Sequence, residues 1–261
     1  MTFVPYVARG RRFRDFTFDF HISNETGRLW YDGSPEQFMP ERGWCVDHIM
    51  PGFTVVDCGA HHGMLTSIFA HAVGPEGHVI AYEALPENAA VIEKNVELNG
   101  FSNVVVRPVG VGNVTATVAI DLNASNTVVA TAGTGSGPNI QIVRLEDDLA
   151  RGLRVDFLKV DVEGHDLEAL MGMKRILKQR PFIDLELHNF LFSDRVTTLN
   201  RILKIFSSLD YEMQILPEIM GEIVPIDSFD VSEIARYDNP HVFFTPKAKR
   251  PWYKYIGLGL T

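Results

Sequence analysis

The stretch VVDCGAHHG, residues 55–63, joins an apolar strand to a glycine-rich turn. The strand reaches Asp57, and Gly59 and Gly63 then frame a turn into an apolar helical pattern. Glycines let the backbone approach a ligand closely, and a helix N-terminus offers free N–H groups to an anionic group. The spacing is G-x-x-x-G after an acid, not the G-x-G-x-x-G of dinucleotide-binding proteins. The turn is therefore a candidate ligand site, although a tight turn that binds nothing would need the same glycines.

Short strands alternate with helices on the C-terminal side of this turn. Such alternation predicts an α/β domain, in which helices cover both faces of a mostly parallel sheet. The strands are predicted at 54–58, 78–82, 103–107, 155–160 and 181–187, and the helices at 64–73, 86–98, 166–177 and 195–209. Two last strands are predicted at 211–216 and 241–245.

The chain before the turn is predicted to be a small appendage. Phenylalanines alternate with polar residues over 16–20, which is typical of a half-buried strand. Residues 24–27 resemble a turn, so that 28–31 would be the returning strand of a hairpin, and a short helix follows Pro35. The predicted parts are an N-terminal appendage (1–44), a ligand-binding domain (45–246) and a basic C-terminal tail (247–261).

Glu83 follows the second predicted strand of the domain, in the segment VIAYEALPEN. An acid at this place typically accepts hydrogen bonds from both ribose hydroxyls of an adenosine. An acid beside the N-terminus of a helix, here 86–98, also occurs without a ligand. Because the glycine turn and Glu83 occur in the right order, we interpret the two together as an adenosine site.

Further polar side chains follow the fourth and fifth predicted strands, in FLKVDVEGHDLEALMG (157–172) and IDLELH (183–188). They are Asp161, Glu163, His165, Glu186 and His188. Buried carboxylates are costly without partners, so a polar cluster at the ligand edge of a sheet favours a site over a core. His165 taken alone is equally well explained as a solvent-facing turn residue.

These segments resemble the FkbM-type S-adenosylmethionine-dependent methyltransferases. VVDCGAHHGMLT, AYEALPENAAVIEKNVELNG, LEDDL, FLKVDVEGHDLEALMG and PFIDLELH occur in the family's order over roughly residues 53–190, and DVEG is the most specific of them. The resemblance implies a class I methyltransferase fold, which is a Rossmann-like, seven-stranded, mostly parallel sheet with an antiparallel last strand. It also implies O-methylation of a hydroxyl, commonly on a sugar, a glycan or a polyketide-like small molecule. One departure is His61-His62, where the family usually has a polar and then an aliphatic residue.

The resemblance assigns roles to individual residues. The implied S-adenosylmethionine contacts are Asp57, Gly59, Ala60, Gly63, Glu83 and Asp161, and the implied acceptor contacts are Glu163 and Glu186. A weakly nucleophilic hydroxyl benefits from a base, and His188 is the first candidate because it titrates near neutral pH. Asp161 and His165 are the second and third candidates.

A divalent cation is an alternative way to activate the acceptor. Mg or Mn could bind Asp161 together with Glu186 or His188. No fixed ligand spacing in the sequence demands a metal, so we favour the version without one.

Other functions stay open at this point. An oxidoreductase would use Glu83 for the ribose of NAD, but the chain lacks G-x-G-x-x-G. A non-catalytic module that binds a glycan or a protein partner would have no need of the intact acids Asp57, Glu83 and Asp161. An N-methyltransferase is a closer rival, but such sites often carry an Asn/Asp-Pro-Pro-aromatic segment where this chain has Asp-Val-Glu-Gly at 161–164.

Composition limits the partners. A chain of 261 residues, 46% of them hydrophobic, is long enough for one substantial core. The ends, 1–14 and 246–261, hold eight of the 24 basic residues and no acid, so the body between them carries a charge of −17 and is a poor nucleic-acid binder. No window approaches the ~18 apolar residues of a membrane span. The two cysteines, Cys45 and Cys58, fit a reduced, cytoplasmic setting.

Two further expectations concern segments that carry none of the motifs described above. Residues 121–139 are rich in Gly, Ser, Thr and Asn, and we hypothesise that they order over the bound cofactor. The early strands, 16–31, offer an interface for a homodimer.

Overall fold

The computed structural model describes residues 3–33, 39–122, 128–129, 138–226 and 230–247. Its strands are β1 (Tyr6–Phe13), β2 (Phe16–Ile22), β3 (Thr54–Cys58), β4 (His78–Tyr82), β5 (Val104–Arg107), β6 (Gly110–Val111), β7 (Ala116–Ala119), β8 (Asp121–Leu122), β9 (Val128–Val129), β10 (Asn139–Val143), β11 (Phe157–Val160), β12 (Phe182–Glu186), β13 (Tyr211–Leu216), β14 (Val224–Ile226) and β15 (His241–Pro246). Its helices are α1 (Glu25–Tyr31), α2 (Met39–His48), α3 (Met64–Val73), α4 (Pro86–Leu98), α5 (Leu145–Asp148), α6 (Asp166–Met171), α7 (Lys174–Leu177), α8 (Arg195–Phe206) and α9 (Val231–Ala235). Most of the predicted 121–139 lid, Pro35 and nearly all of the basic tail lie outside the described residues.

The centre of the fold is a mixed sheet with the strand order β14-β13-β15-β12-β11-β3-β4-β5. The five strands from β12 to β5 are parallel, and β15 runs antiparallel to both of its neighbours. This arrangement confirms the predicted α/β class with its antiparallel last strand. The predicted strand count of seven was too low for this sheet, because the short edge strand β14 pairs with β13.

The strand order reverses at β3, which lies between β4 and β11. β3 and β11 are buried at every position, as expected for central strands of a parallel sheet that is covered on both faces. Side chains from α6, α7, α8 and α9 pack on one face of the sheet, and side chains from α2 and α3 pack on the other. Ligands of such sheets bind where the strand order reverses, at the carboxyl ends of the strands.

The N-terminal region differs from its prediction. The hairpin of β2 is formed with β1, and residues 28–31 belong to helix α1 instead of a returning strand. The Asn24 side chain caps this helix by accepting a hydrogen bond from the Gly27 N–H at 2.7 Å. The cap satisfies one of the free N–H groups of the first turn, so the helix is favoured over a strand.

The predicted helix 166–177 is divided into α6 and α7. Gly172 lies between them, and a Cβ atom there would come within 1.8 Å of the Gly112 carbonyl oxygen. The break therefore lets the chain pass close to the loop after β6.

The N-terminal appendage is joined closely to the sheet. The predicted boundary at residue 44 lies within α2, where the Trp44 ring stacks on Phe243 of β15 with their centroids 4.4 Å apart. Cys45, one residue further, is completely buried. Within the described ranges, no helix has the length and apolar character that crossing a membrane requires.

Candidate functional site

A cavity of about 870 Å³ lies at the carboxyl ends of β3, β4, β11 and β12. Every predicted site residue lines it except Gly63. Gly63 instead begins α3 with a φ of 81°, and a Cβ atom there would approach Ile92 to 3.0 Å. The structure therefore places Gly63 in the turn that starts the helix and brings the other predicted residues to one cavity.

The glycine turn holds the ends of β3 and β11 together. A Cβ atom on Gly59 would come within 1.6 Å of the Asp161 carbonyl oxygen, and Gly59 has a φ of 88°. Next to it, the Asp57 carboxylate accepts a hydrogen bond from Thr66 Oγ1 of α3 at 2.6 Å. Burial raises the pKa of Asp57 to about 6. The turn thus fixes the backbone of two cavity walls and presents one buried carboxyl group.

Glu83 is buried at the end of β4 and is held by three donors. Its Oε1 accepts from the Leu85 N–H at 3.0 Å and from Asn88 Nδ2 at 3.4 Å, and its Oε2 accepts from the His61 N–H at 2.8 Å. Each carboxylate oxygen has two lone pairs, so Oε2 keeps a position for a further donor such as a hydroxyl. Burial raises the pKa of Glu83 to about 7. The residue therefore fits the predicted contact with a ribose.

Helix α1 contributes a wall of the cavity that the sequence did not predict. The Tyr31 hydroxyl and His61 Nδ1 are hydrogen-bonded at 2.7 Å, and the Trp30 ring lies 5.0 Å from the His61 ring. His61 also stacks on His62 at 4.0 Å. Burial lowers the pKa of His61 well below its usual value and that of His62 to about 4. The sequence pattern predicts a strand at 28–31, and a strand there does not predict this aromatic wall.

His188 lies at the end of β12 between acidic residues of the loop after β11. Its Nε2 is 3.0 Å from Glu163 Oε2 and 3.9 Å from Asp161 Oδ1. Burial lowers the pKa of His188, but the hydrogen bond with Glu163 and the charges of Asp161 and Glu186 outweigh it and raise the pKa to about 9. The predicted base is therefore part of a hydrogen-bonded charge cluster that faces the cavity.

His165 lines the same cavity at the start of α6. Burial lowers its pKa below the usual value for histidine.

Lys159 is a buried cation that the sequence analysis missed. Its Nζ lies 3.3 Å from both Glu41 and Glu186, 3.5 Å from Asp161 and 3.7 Å from Asp184. Burial lowers the pKa of Lys159, but the four carboxylates raise it well above its usual value. A lysine within the apolar strand FLKV was the signal that could have revealed it, since lysine is almost never fully buried without a partner.

His241 of β15 extends this charge network. Its Nδ1 is hydrogen-bonded to Asp184 Oδ1 at 3.0 Å, and its Nε2 lies 3.7 Å from Glu186. Burial lowers the pKa of His241, but Glu41, Glu186 and Asp184 raise it to about 10. The cations of the network lower the pKa values of Asp184 and Glu186 against the effect of burial, whereas burial raises the pKa values of Glu41 and Asp161.

Two groups of side chains among the described residues have the donor atoms of a metal site. They are Glu41, Asp184 and His241, and Asp161, Glu186 and His188. The second group contains the residues predicted for Mg or Mn. Lys159 Nζ lies within 3.5 Å of both Asp161 and Glu186, so a protonated amine supplies positive charge beside this group.

Comparison with known proteins places these features in context. The sequence model of the methyltransferase FkbM domain family matches residues 57–213, more than half of the chain. Methyltransferase 1 of Beauveria bassiana is 26% identical over 183 residues, which cover 60% of this chain and 73% of that protein. Protein-L-isoaspartate O-methyltransferase 1 of Arabidopsis thaliana is 44% identical over 55 residues, 21% of this chain and 24% of the relative, so the chain spans about a quarter of its length. A structure of a putative rRNA-methylase from Clostridium thermocellum has the same fold, with a TM-score of 0.51, 12% identity, and coverage of 80% of this chain and 94% of that chain.

Proposed function

Because the chain belongs to the FkbM methyltransferase family, we propose that it transfers a methyl group from S-adenosylmethionine to a hydroxyl oxygen of a small-molecule or glycan acceptor. The observation that supports this reaction is the cluster of His188, Glu163 and Asp161. It faces the cavity that Asp57 and Glu83 also line. One cavity thus offers both a nucleoside contact and groups that can hold a proton.

The residues around the cavity fit the cofactor. The open acceptor position on Glu83 Oε2 would take a ribose hydroxyl, and the Asp57 carboxyl group would take the amine of the methionine part. Val111 and Ile142, on the paired strands β6 and β10, would cover the adenine with apolar surface. When bound there, the cofactor supplies a methyl group that is activated by the sulfonium.

The chain's own task is then to orient the acceptor and remove its proton. Orientation of the reacting atoms can contribute on the order of 7–11 kcal/mol at best, and a positioned base about 10²–10⁴-fold in rate. We assign His188 as the base, with Glu163 and Asp161 holding its ring and stabilising the charged form. Since its pKa is about 9, the deprotonated fraction increases about tenfold per pH unit up to that value, and kcat/KM should follow it.

The cofactor assignment is tested by calorimetric titration with S-adenosylhomocysteine, with NAD as a parallel ligand. We expect micromolar binding of S-adenosylhomocysteine alone, weakened at least tenfold in Glu83→Ala. Glu87→Ala is the matched control, because Glu87 is an exposed acid in the first turn of the next helix. Binding of NAD in place of S-adenosylhomocysteine, or equal effects of the two variants, would contradict the assignment.

A further inference from the structure

Apolar side chains at the mouth of the cavity remain exposed. Phe190 is 56% exposed, Val114 53%, Ile219 44%, and Trp30 and Leu191 38% each, and all five line the cavity. Soluble proteins rarely expose large apolar side chains next to one another, so such a patch marks a binding surface. We name these five residues the apolar rim.

The apolar rim adjoins the proposed base. Phe190 and Leu191 form a short 3₁₀ turn that directly follows His188. The Phe190 ring lies edge-on to the His188 imidazole, with the centroids 5.9 Å apart. Leu191 lies against Gly164, where an added Cβ atom would approach its side chain to 3.0 Å. A molecule whose hydroxyl reaches His188 would therefore rest its other atoms on these side chains.

Acidic side chains outnumber basic ones around the cavity. Of the described residues that line it, seven are acidic, whereas Arg42 and Lys159 are its arginine and lysine and His188 is a further cation. Lys159 is already surrounded by four carboxylates. A phosphate or carboxylate on the acceptor would lose its hydration on entry, and Lys159 and His188 would compensate little because both already face carboxylates.

We infer that the acceptor is an uncharged hydroxyl compound with an apolar skeleton, carrying no phosphate or carboxylate. The inference rests on the proposed methyl transfer and specifies its substrate class. The apolar rim removes the skeleton from water, while the cavity beside His188 admits the neutral hydroxyl end and offers an anionic group on the acceptor little compensation for its lost hydration.

The inference is tested with three glycosides. Two of them differ from the first in a single feature. The probes are n-octyl β-D-glucopyranoside, methyl β-D-glucopyranoside without the apolar chain, and n-octyl β-D-glucuronide with an added carboxylate. Each is titrated below its micelle concentration, with and without saturating S-adenosylhomocysteine, and followed by saturation-transfer NMR. We expect octyl glucoside to bind at least tenfold more tightly than either of the other two.

Variants of the rim locate the binding. Phe190→Ser/Leu191→Ser should weaken octyl glucoside binding about tenfold and leave S-adenosylhomocysteine binding unchanged. Val196→Ser is the control, because Val196 is 55% exposed but does not line the cavity. Equal affinities for the three glycosides, tighter binding of the glucuronide, or an equal effect of the control would overturn the inference. A failure of the cofactor assignment shows separately, as an absence of S-adenosylhomocysteine binding, while the glycoside comparison is still measured.

Discussion

Gly59 directly follows β3 and lies against the backbone of Asp161, which directly follows β11. The Asp161 carbonyl oxygen occupies the place that a side chain at this position would need. The sequence spacing singles out Gly59 and leaves two explanations, contact with a ligand or a tight turn. The structure adds a packing reason, because the same contact brings the Asp57 turn and the Asp161 loop to one cavity.

Gly59→Ala should therefore be much more destabilising than an ordinary glycine substitution. The added Cβ atom meets rigid backbone at 1.6 Å, so the strand ends must separate and the cost should exceed about 3 kcal/mol. Gly100→Ala is the matched control, because Gly100 has a φ of 68° with no atom within 4 Å of the added Cβ. It should cost only the backbone strain, about 1–2 kcal/mol. Urea unfolding measures both, and equal losses would contradict the packing argument.

The shortest contact that holds the proton on His188 is the hydrogen bond with Glu163, which acts together with the charges of Asp161 and Glu186. Glu163→Gln removes the carboxylate at 3.0 Å, so the pKa of His188 should decrease from about 9 towards its usual value. An NMR titration, assigned by the missing signal in His188→Gln, follows the ring protons directly. Glu168→Gln is the control, because it removes one acid from α6, the helix that directly follows the loop of Glu163. An unchanged pKa in Glu163→Gln would mean that Glu163 does not hold the ring.

At the scale of elements, the central strands and the helices that follow them were largely predicted from the sequence. β3, β4, α3, α4 and β13 begin and end where their apolar patterns predict. The errors have local physical causes. Residues 28–31 have aromatic and apolar side chains that suit a strand, but the Asn24 cap makes them helical. The arginines of β1 hid the alternation of a strand whose partner is β2.

Most of the candidate site could be predicted for a related reason. Acids that directly follow predicted strands are brought together by the parallel topology, whatever the details of packing. Lys159, His241 and Glu41 were missed because their importance arises from contacts between distant elements, which no local pattern contains.

Lys159 connects α2 to the sheet, since Glu41 of α2 is one of its carboxylate partners. Lys159→Met should leave these buried carboxylates without their cation and lower the free energy of unfolding by about 3–5 kcal/mol. Lys178→Met, at an exposed lysine just after α7, should change it by less than about 0.5 kcal/mol. A small loss in Lys159→Met, as measured by urea unfolding, would show that the carboxylates take up protons in place of the lysine.

At the scale of the whole molecule, two buried histidines hold protons that neighbouring carboxylates stabilise, whereas burial lowers the pKa values of His61, His62 and His165. The pKa values of His188 and His241 are raised to about 9 and about 10, so the folded chain holds protons that the unfolded chain releases above about pH 6.5. This contribution to stability is fully present below the unfolded value and is lost as the pH rises through the folded values. The buried acids Asp57 and Glu83, with raised pKa values, act in the same sense at lower pH.

The free energy of unfolding should therefore decrease between pH 6.5 and pH 9.5. The slope is about 1.4 kcal/mol per pH unit for each extra proton that the folded state holds. His241→Gln should be less stable than the parent chain at pH 6.5 and show a flatter slope, whereas His78→Gln, at an exposed histidine, should keep the slope. Urea titrations at several pH values measure these slopes. Equal free energies of unfolding of the parent chain at pH 6.5 and pH 9.5 would refute the prediction.

The two buried cysteines can report local opening of the fold through their rates of alkylation. Cys45 of α2 and Cys58 of β3 are both free and completely buried, and burial raises the pKa of each thiol well above its usual value. An exposed thiolate attacks an alkylating reagent and displaces its leaving group, so neither sulfur should react while the elements around it are closed. The rate at which each cysteine is alkylated then depends on how often the element that contains it opens. One reagent thus reports two openings separately, that of α2 and that of β3, the strand that leads into the cavity.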